Sequence, residues 1–185
     1  MRVLLLVVLL AASPALSREV GGVQLPEKVS RDGRTLRLNG AGVRSKFFFE
    51  VYVGALYLES GSSDPARILS IDQAWELTLV FKRDVDHEQV LDAFREAFDA
   101  NSPPGELAAL RAGLVKFHDE VMSSLTVHAG QTLSFSYRPG RGTTLTVPGG
   151  STSLVEGKGF ADAVLRTWIG EHPSDSSLKQ ALLGG

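Results

Sequence analysis

The sequence predicts an α+β fold, a mainly antiparallel β-sheet packed against a helical layer. Three observations carry this. Stretches of period-two alternation fall in two groups, over residues 34–81 and 131–156. Two segments of helical periodicity separate the groups, and a third follows them. The order is therefore strands, helices, strands, helices, without the regular alternation that builds a parallel sheet.

The 185 residues suffice for one domain with a full core. Residues 1–17 read as a secretory signal peptide, with Arg2 as a minimal positive start, an apolar run over 3–12, and small residues at Ala15 and Ser17 for cleavage. The run is too short to span a bilayer and no stop-transfer pattern follows, so no stable membrane anchor is expected. The domain is then residues 18–185, placed in the periplasm or secreted. The chain has no Cys, which excludes both disulfides and a lipid on Cys. Its net charge is −2, and −3 without the leader, which carries one Arg and no acid. That balance argues against nucleic acid as a partner.

Taken in order, Val20, Val23 and Leu25 predict a short edge strand ending at Pro26, and residues 34–38 alternate as a strand leading into a turn at Asn39-Gly40-Ala41-Gly42. Residues 47–58 hold one charge, Glu50, among aromatic and β-branched residues, and so predict a strand of a central hairpin. Gly54 inside that run marks a bulge or a close approach. Asp64 before Pro65 caps a short helix to Ser70. Residues 75–81 place Trp75, Leu77, Leu79 and Phe81 on one buried face. A helix over 86–100 buries Val90, Leu91, Phe94 and Phe98, and Asn101 to Gly105 stops it. A second helix spans 106–122. Strands follow over 131–138, 143–147 and 152–156, joined by Pro-Gly turns, then helices over 160–169 and on to Leu183.

No metal or other cofactor is expected. His87, His118, His128 and His172 form no helical pair and read as surface residues. Gly157-Lys158-Gly159 lacks the spacing of a phosphate loop, and no G-x-S-x-G elbow surrounds Ser151 or Ser153. Arg44 stands out. A guanidinium beside an aromatic strand can grip a carboxylate or an enolate in two places, although pairing with a surface acid is the ordinary use of such an Arg. Tyr52, further along the run, packs in the core on the ordinary reading.

LNGAGVRSKFFFEVYVGALYLE, with GTTLTVPGG and EGKGFADAVLRTWIGEHPSDSSLKQALLG, resembles the exported bacterial branch of the chalcone isomerase-like family, in order and over nearly the whole domain. The resemblance implies an open-faced sandwich whose ligand cleft lies between the large sheet and the helices, with a small sheet nearby. It matches Arg44 to the Arg that stabilises developing negative charge in plant chalcone isomerases, and Thr167 to a Thr or Ser of a late helix. Tyr52 stands where those enzymes have a Thr. Their Tyr and Asn of the first long helix fall near Asp86 and Ala93, so neither is kept. A fatty-acid-binding branch pairs Arg with Tyr at the positions of Arg44 and Tyr52. The leading expectation is therefore a protein that binds a small amphipathic acid at Arg44, Tyr52 and Thr167 without efficient catalysis. An intramolecular lyase acting on a phenolic ligand, with Arg44 catalytic, is the alternative. A third is an interaction module for a protein partner, its cleft collapsed onto Phe47, Phe49 or Trp168.

Overall fold

The computed structural model describes residues 17–123 and 125–185, so the expected leader lies outside the described residues except for Ser17. Strands β1 (Ser17–Val20) and β2 (Val23–Pro26) form a separate hairpin. Seven more make one antiparallel sheet in plain sequence order: β3 (Lys28–Arg31), β4 (Arg34–Lys46), β5 (Phe49–Leu58), β6 (Trp75–Phe81), β7 (Thr132–Arg138), β8 (Gly142–Thr146) and β9 (Thr152–Val155). Between and after them come α1 (Pro65–Ser70), α2 (His87–Ala100), α3 (Pro104–Phe117), α4 (Lys158–Ile169) and α5 (Ser176–Leu182), with a π-turn over His118–Met122 continuing α3. This is the α+β architecture expected from the sequence, a helical layer on an antiparallel sheet.

Side-chain alternation sorts the strands into two packed layers. Tyr52, Leu56 and Leu58 of β5 and Trp75, Leu77, Leu79 and Phe81 of β6 face the helices. Val53, Ala55 and Tyr57 of β5 face the other way, under Leu25 and the β1–β2 hairpin. Because β5 is covered on both faces, its sequence is an almost unbroken apolar run. Helix α4 is buried nearly all round, and its Phe160 and Trp168 join Phe94, Phe98, Phe117 and Phe135 in an aromatic lattice. Phe94 stacks on Phe135 at 5.5 Å and 10°, and Phe117 meets Phe160 edge-on at 5.1 Å.

Two sequence expectations need correction, and one strand was not expected. The Asn39 to Gly42 segment is no turn but the middle of β4. Its glycines are there because α5 lies across the strand: a Cβ at Gly40 would fall 2.1 Å from the Ala181 carbonyl oxygen, and one at Gly42 would fall 2.5 Å from the Ala181 methyl. Gly54 meets the end of the Leu178 side chain of α5 more loosely, at 3.3 Å from where a Cβ would sit. The real turn is Phe47-Phe48, closed by the pair Lys46 and Phe49. The β4–β5 hairpin is also off-centre, β6 being the middle strand. Finally β3, a four-residue edge strand whose one apolar residue, Val29, packs half-buried beneath the hairpin, carried too little periodicity to be read.

Register changes twice along β4 and β5. At Leu38/Gly40 the extra residue is Asn39, whose amide donates to the Leu182 and Ser62 carbonyls at 2.8 and 3.1 Å and ties α5 to the strand. At Arg44/Ser45 the extra residue is Val51. Bulges of this kind re-aim neighbouring side chains. At the far end of α2, Asn101 holds the loop after α4: its amide donates to the Ala97 and His172 carbonyls, and its oxygen accepts from His172 N.

All three tyrosines have hydroxyls pushed above their ordinary value of 10.0. Burial is the main cause in each. Glu76 and Glu27 add to it at Tyr57, which reaches about 12, and Asp72, which accepts the Tyr137 hydroxyl at 2.6 Å, adds to it there. A folded value above the unfolded one means that the unfolded chain loses these protons first. The stability held below pH 10.0 is therefore lost as pH rises from about 10 towards 12. Tyrosinate absorbance and circular dichroism, followed together, should change as one alkaline transition. A tyrosine ionising near 10.0 in protein that stays folded would refute this.

Candidate functional site

The cleft lies between the sheet and the helical layer. Leu79, Phe81, Leu133 and Phe135 of β6 and β7 form its floor, α2 its roof with Val90, Ala93, Phe94 and Ala97, and Trp168 of α4 its side. Counted out to the mouth it encloses about 570 Å³, but only about 60 Å³ remains for the centres of water-sized groups. That is room for several waters, not for a long chain. A tail of any length enters only by parting the aromatic walls. Neither Phe47 nor Phe49 fills the cleft; both project into solvent.

Polar groups gather at one end. Arg44 and Tyr52 are register partners on β4 and β5, and the Arg44 guanidinium carbon sits 5.6 Å from the Tyr52 ring centre. The Val51 bulge lets both Val51 and Tyr52 line the cleft. Arg44 is half-buried, yet its Nε is fully covered and has no hydrogen-bond partner. Among the described residues no ion pair includes it. Leaving a guanidinium N–H buried and unmatched costs free energy, so the ordinary reading of Arg44, a pair with a surface acid, does not describe this residue.

The Tyr52 hydroxyl accepts from Trp168 Nε1 at 2.9 Å, which leaves its own proton to donate. Burial pushes that phenol up, against the pull of the Arg44 charge and the Trp168 donor, so it is neutral at physiological pH. A neutral phenol beside a cation offers two donors, which suits an anion; the Asp175 carboxylate, which caps α5 through Leu178 N, also acts on this hydroxyl and raises it further. Thr167 also lines the cleft, but its hydroxyl donates to the Val164 carbonyl at 2.8 Å, leaving only its lone pairs and methyl to face inward.

The sequence reading missed two polar lining residues. Ser174 follows α4, its Oγ is buried without a hydrogen-bond partner, and it lies near enough to act on the Tyr52 hydroxyl. A loop serine has no periodic signal to find it by. Gln89 stands at the mouth, and its spacing with Ala93 and Ala97, four residues each, was legible as one helical stripe. Asp86 spends its carboxylate capping α2 through Gln89 N at 2.9 Å, and Ala93 contributes only a methyl. Among the described residues no group of His, Cys, Asp and Glu could hold a metal ion.

A family model described as chalcone isomerase-like matches residues 17–184. The chain belongs to the chalcone isomerase-like family. None of the curated proteins compared matches it. Among solved structures, the crystal structure of an Arabidopsis thaliana fatty-acid binding protein superposes with a TM-score of 0.66 over 88% of this chain and 92% of that one, at 16% identity. At that identity the likeness shows the chalcone isomerase-like fold and nothing finer.

Proposed function

We propose that the protein binds a small amphipathic acid of the fatty-acid type, its carboxylate on Arg44 and Tyr52 and its tail in the apolar cleft, without efficient catalysis. The buried, unmatched Arg44 Nε carries this reading. An unpaired guanidinium N–H beside a neutral phenol, at the end of an aromatic-walled cleft, lacks only an anion with an apolar body. The similar Arabidopsis structure is that of a fatty-acid binding protein, which points the same way. Magnitudes divide the labour. Each buried methylene contributes about 0.8 kcal/mol, so a tail of about ten outweighs the ~1.5–3 kcal/mol of a charge-assisted bond. The tail supplies affinity, part of it spent in opening the cleft, and Arg44 supplies orientation. Cyclisation of a phenolic substrate is the weaker reading, because Asp86 and Ala93 offer no substrate-positioning group where plant chalcone isomerases have Tyr and Asn.

The leader pattern of residues 1–17 supports a location for this binding in the periplasm or outside the cell. One measurement tests both halves. Native mass spectrometry of protein from its own host should show a chain starting at Arg18 and carrying a fatty-acid-sized adduct that unfolding releases. A chain that keeps Met1 would overturn export. Ligand-free protein that also takes up no added fatty acid would overturn the binding reading.

A further inference from the structure

The least explained feature of the molecule is the tip of the β4–β5 hairpin. Phe47, Phe48 and Phe49 stand in a row and are 87%, 97% and 60% exposed. Solvated proteins seldom carry large apolar side chains in such a cluster without a use for it. The turn is also strained. Phe47 has φ +58°, in the left-handed region where two-residue hairpins ordinarily place Gly or Asn. A bulky aromatic kept where glycine would fit best is an outlier that argues for a role of the side chain itself.

We propose that this tip inserts into the surface of an anionic lipid bilayer and docks the cleft mouth against it. Shape favours a bilayer over a protein. The apolar surface is a convex point two residues wide, which can sink between headgroups but offers no broad face for a matching protein surface. Charge favours it as well. Lys46 and Arg83 flank the tip, and among the described residues neither joins an ion pair. The Arg83 guanidinium lies 4.9 Å over the Phe49 ring, holding a cation level with the base of the aromatic cluster. Lys82 is neutralised by Glu50 at 2.9 Å, while Asp84, held ionised by the Ala129 N–H and by His128 at 3.2 Å, leaves one carboxylate against the two cations. In a chain of net charge −2, two unpaired cations beside three exposed aromatics form the pattern that headgroup anions attract. Among the described residues no helix is long and apolar enough to cross a membrane, so the contact is peripheral.

Position gives the contact a purpose, and here the inference rests on the ligand reading of the cleft. Arg44 precedes Phe47 by three residues of one strand, or roughly 10 Å at the usual rise. Val51, two residues after Phe49, and Val85, two after the Arg83 that covers Phe49, line the cleft. A docked protein would present its cleft at headgroup depth, so that an acyl chain passes from lipid to protein without crossing water.

The test uses the mature chain and vesicles of phosphatidylcholine carrying roughly one third phosphatidylglycerol, with pure phosphatidylcholine for comparison. Co-flotation should recover the protein with the anionic vesicles. The double variant Phe47→Ser, Phe48→Ser should bind them at least about tenfold more weakly with unchanged melting, and Lys46→Gln should weaken the anionic vesicles alone. No acid ligand is added, so failure of the cleft reading leaves this result standing. Absence of vesicle binding, or equal binding by the double variant, overturns docking. So does a concentration-dependent dimer that the double variant abolishes without any vesicle binding, since the occupant would then be a second copy of the chain. In a second arm, transfer of a fluorescent fatty acid to vesicles should slow at least about tenfold in the double variant at unchanged affinity. Equal transfer rates would overturn the delivery role.

Discussion

Replacing Arg44 by methionine is expected to weaken fatty-acid binding about tenfold to a hundredfold and to leave the melting temperature nearly unchanged. Methionine keeps an unbranched apolar side chain beside Tyr52, and removes the charge, its donors and the guanidinium that lies 5.6 Å from the Tyr52 ring centre. The affinity lost is that of charge-assisted hydrogen bonds, about 1.5–3 kcal/mol, and the tail's apolar burial remains. Stability should not fall with it, because no acid pairs with Arg44 among the described residues and its Nε is already unmatched. Losing a buried, unsatisfied donor tends to help a fold, as groups kept for function often burden it. Melting and binding must be read on the same protein. A drop of many degrees with binding intact would make Arg44 part of the scaffold and remove the site.

Gly40→Val should damage stability far more than Arg44→Met, by about 3 kcal/mol or more, or roughly 6–12 °C in Tm for a chain of this size. The clash is with backbone, which cannot rotate away. A Cβ would sit 2.1 Å from the Ala181 oxygen and 2.6 Å from the Leu182 oxygen. Helix α5 must lift, and Leu178 and Leu182, both fully buried, lose their cover. Gly105→Ala is the control. It lies in the first turn of α3 with nothing within 4 Å of the new methyl, and should stabilise by about 0.4–1 kcal/mol. Similar melting for the two glycine variants would show that α5 is not seated on β4 as described.

The same glycines show where sequence reading succeeds and where it stops. The alternation over β6, the Asp86 cap of α2 and the Asp64-Pro65 start of α1 are local signals, and each element formed where they placed it. Asn39-Gly40 is also a strong local signal, that of a hairpin turn. It misled because the glycines answer to α5, some 140 residues away in the chain. Conversely the real turn, Phe47-Phe48, contains no turn residue at all. Arg44 and Tyr52 drew notice by residue type and position, and the fold does bring them together with Thr167 at one cleft. What no sequence pattern displayed is that Arg44 forms no ion pair among the described residues, since that depends on everything else folding elsewhere.

The single inserted residue at Asn39 gives β4 something like a reading frame. Before it, even-numbered Leu36 and Leu38 pack beneath the β1–β2 hairpin; after it, even-numbered Gly40, Gly42 and Arg44 look towards the helices, and odd-numbered Ala41 and Val43 take over the hairpin side. Were Asn39 paired regularly, in a flat strand of the same length, every later residue would change face, turning Val43 to the cleft and Arg44 under the hairpin. A chain lacking Asn39 would pair Leu38 and Gly40 as now and keep Arg44 where it is. Whether this cleft holds a charge is therefore decided by counting as much as by chemistry. A one-residue insertion or deletion between Gly40 and Arg44, or loss of the bulge at constant length, more than substitutions within the cleft, is the change through which such a scaffold would lose its anion grip.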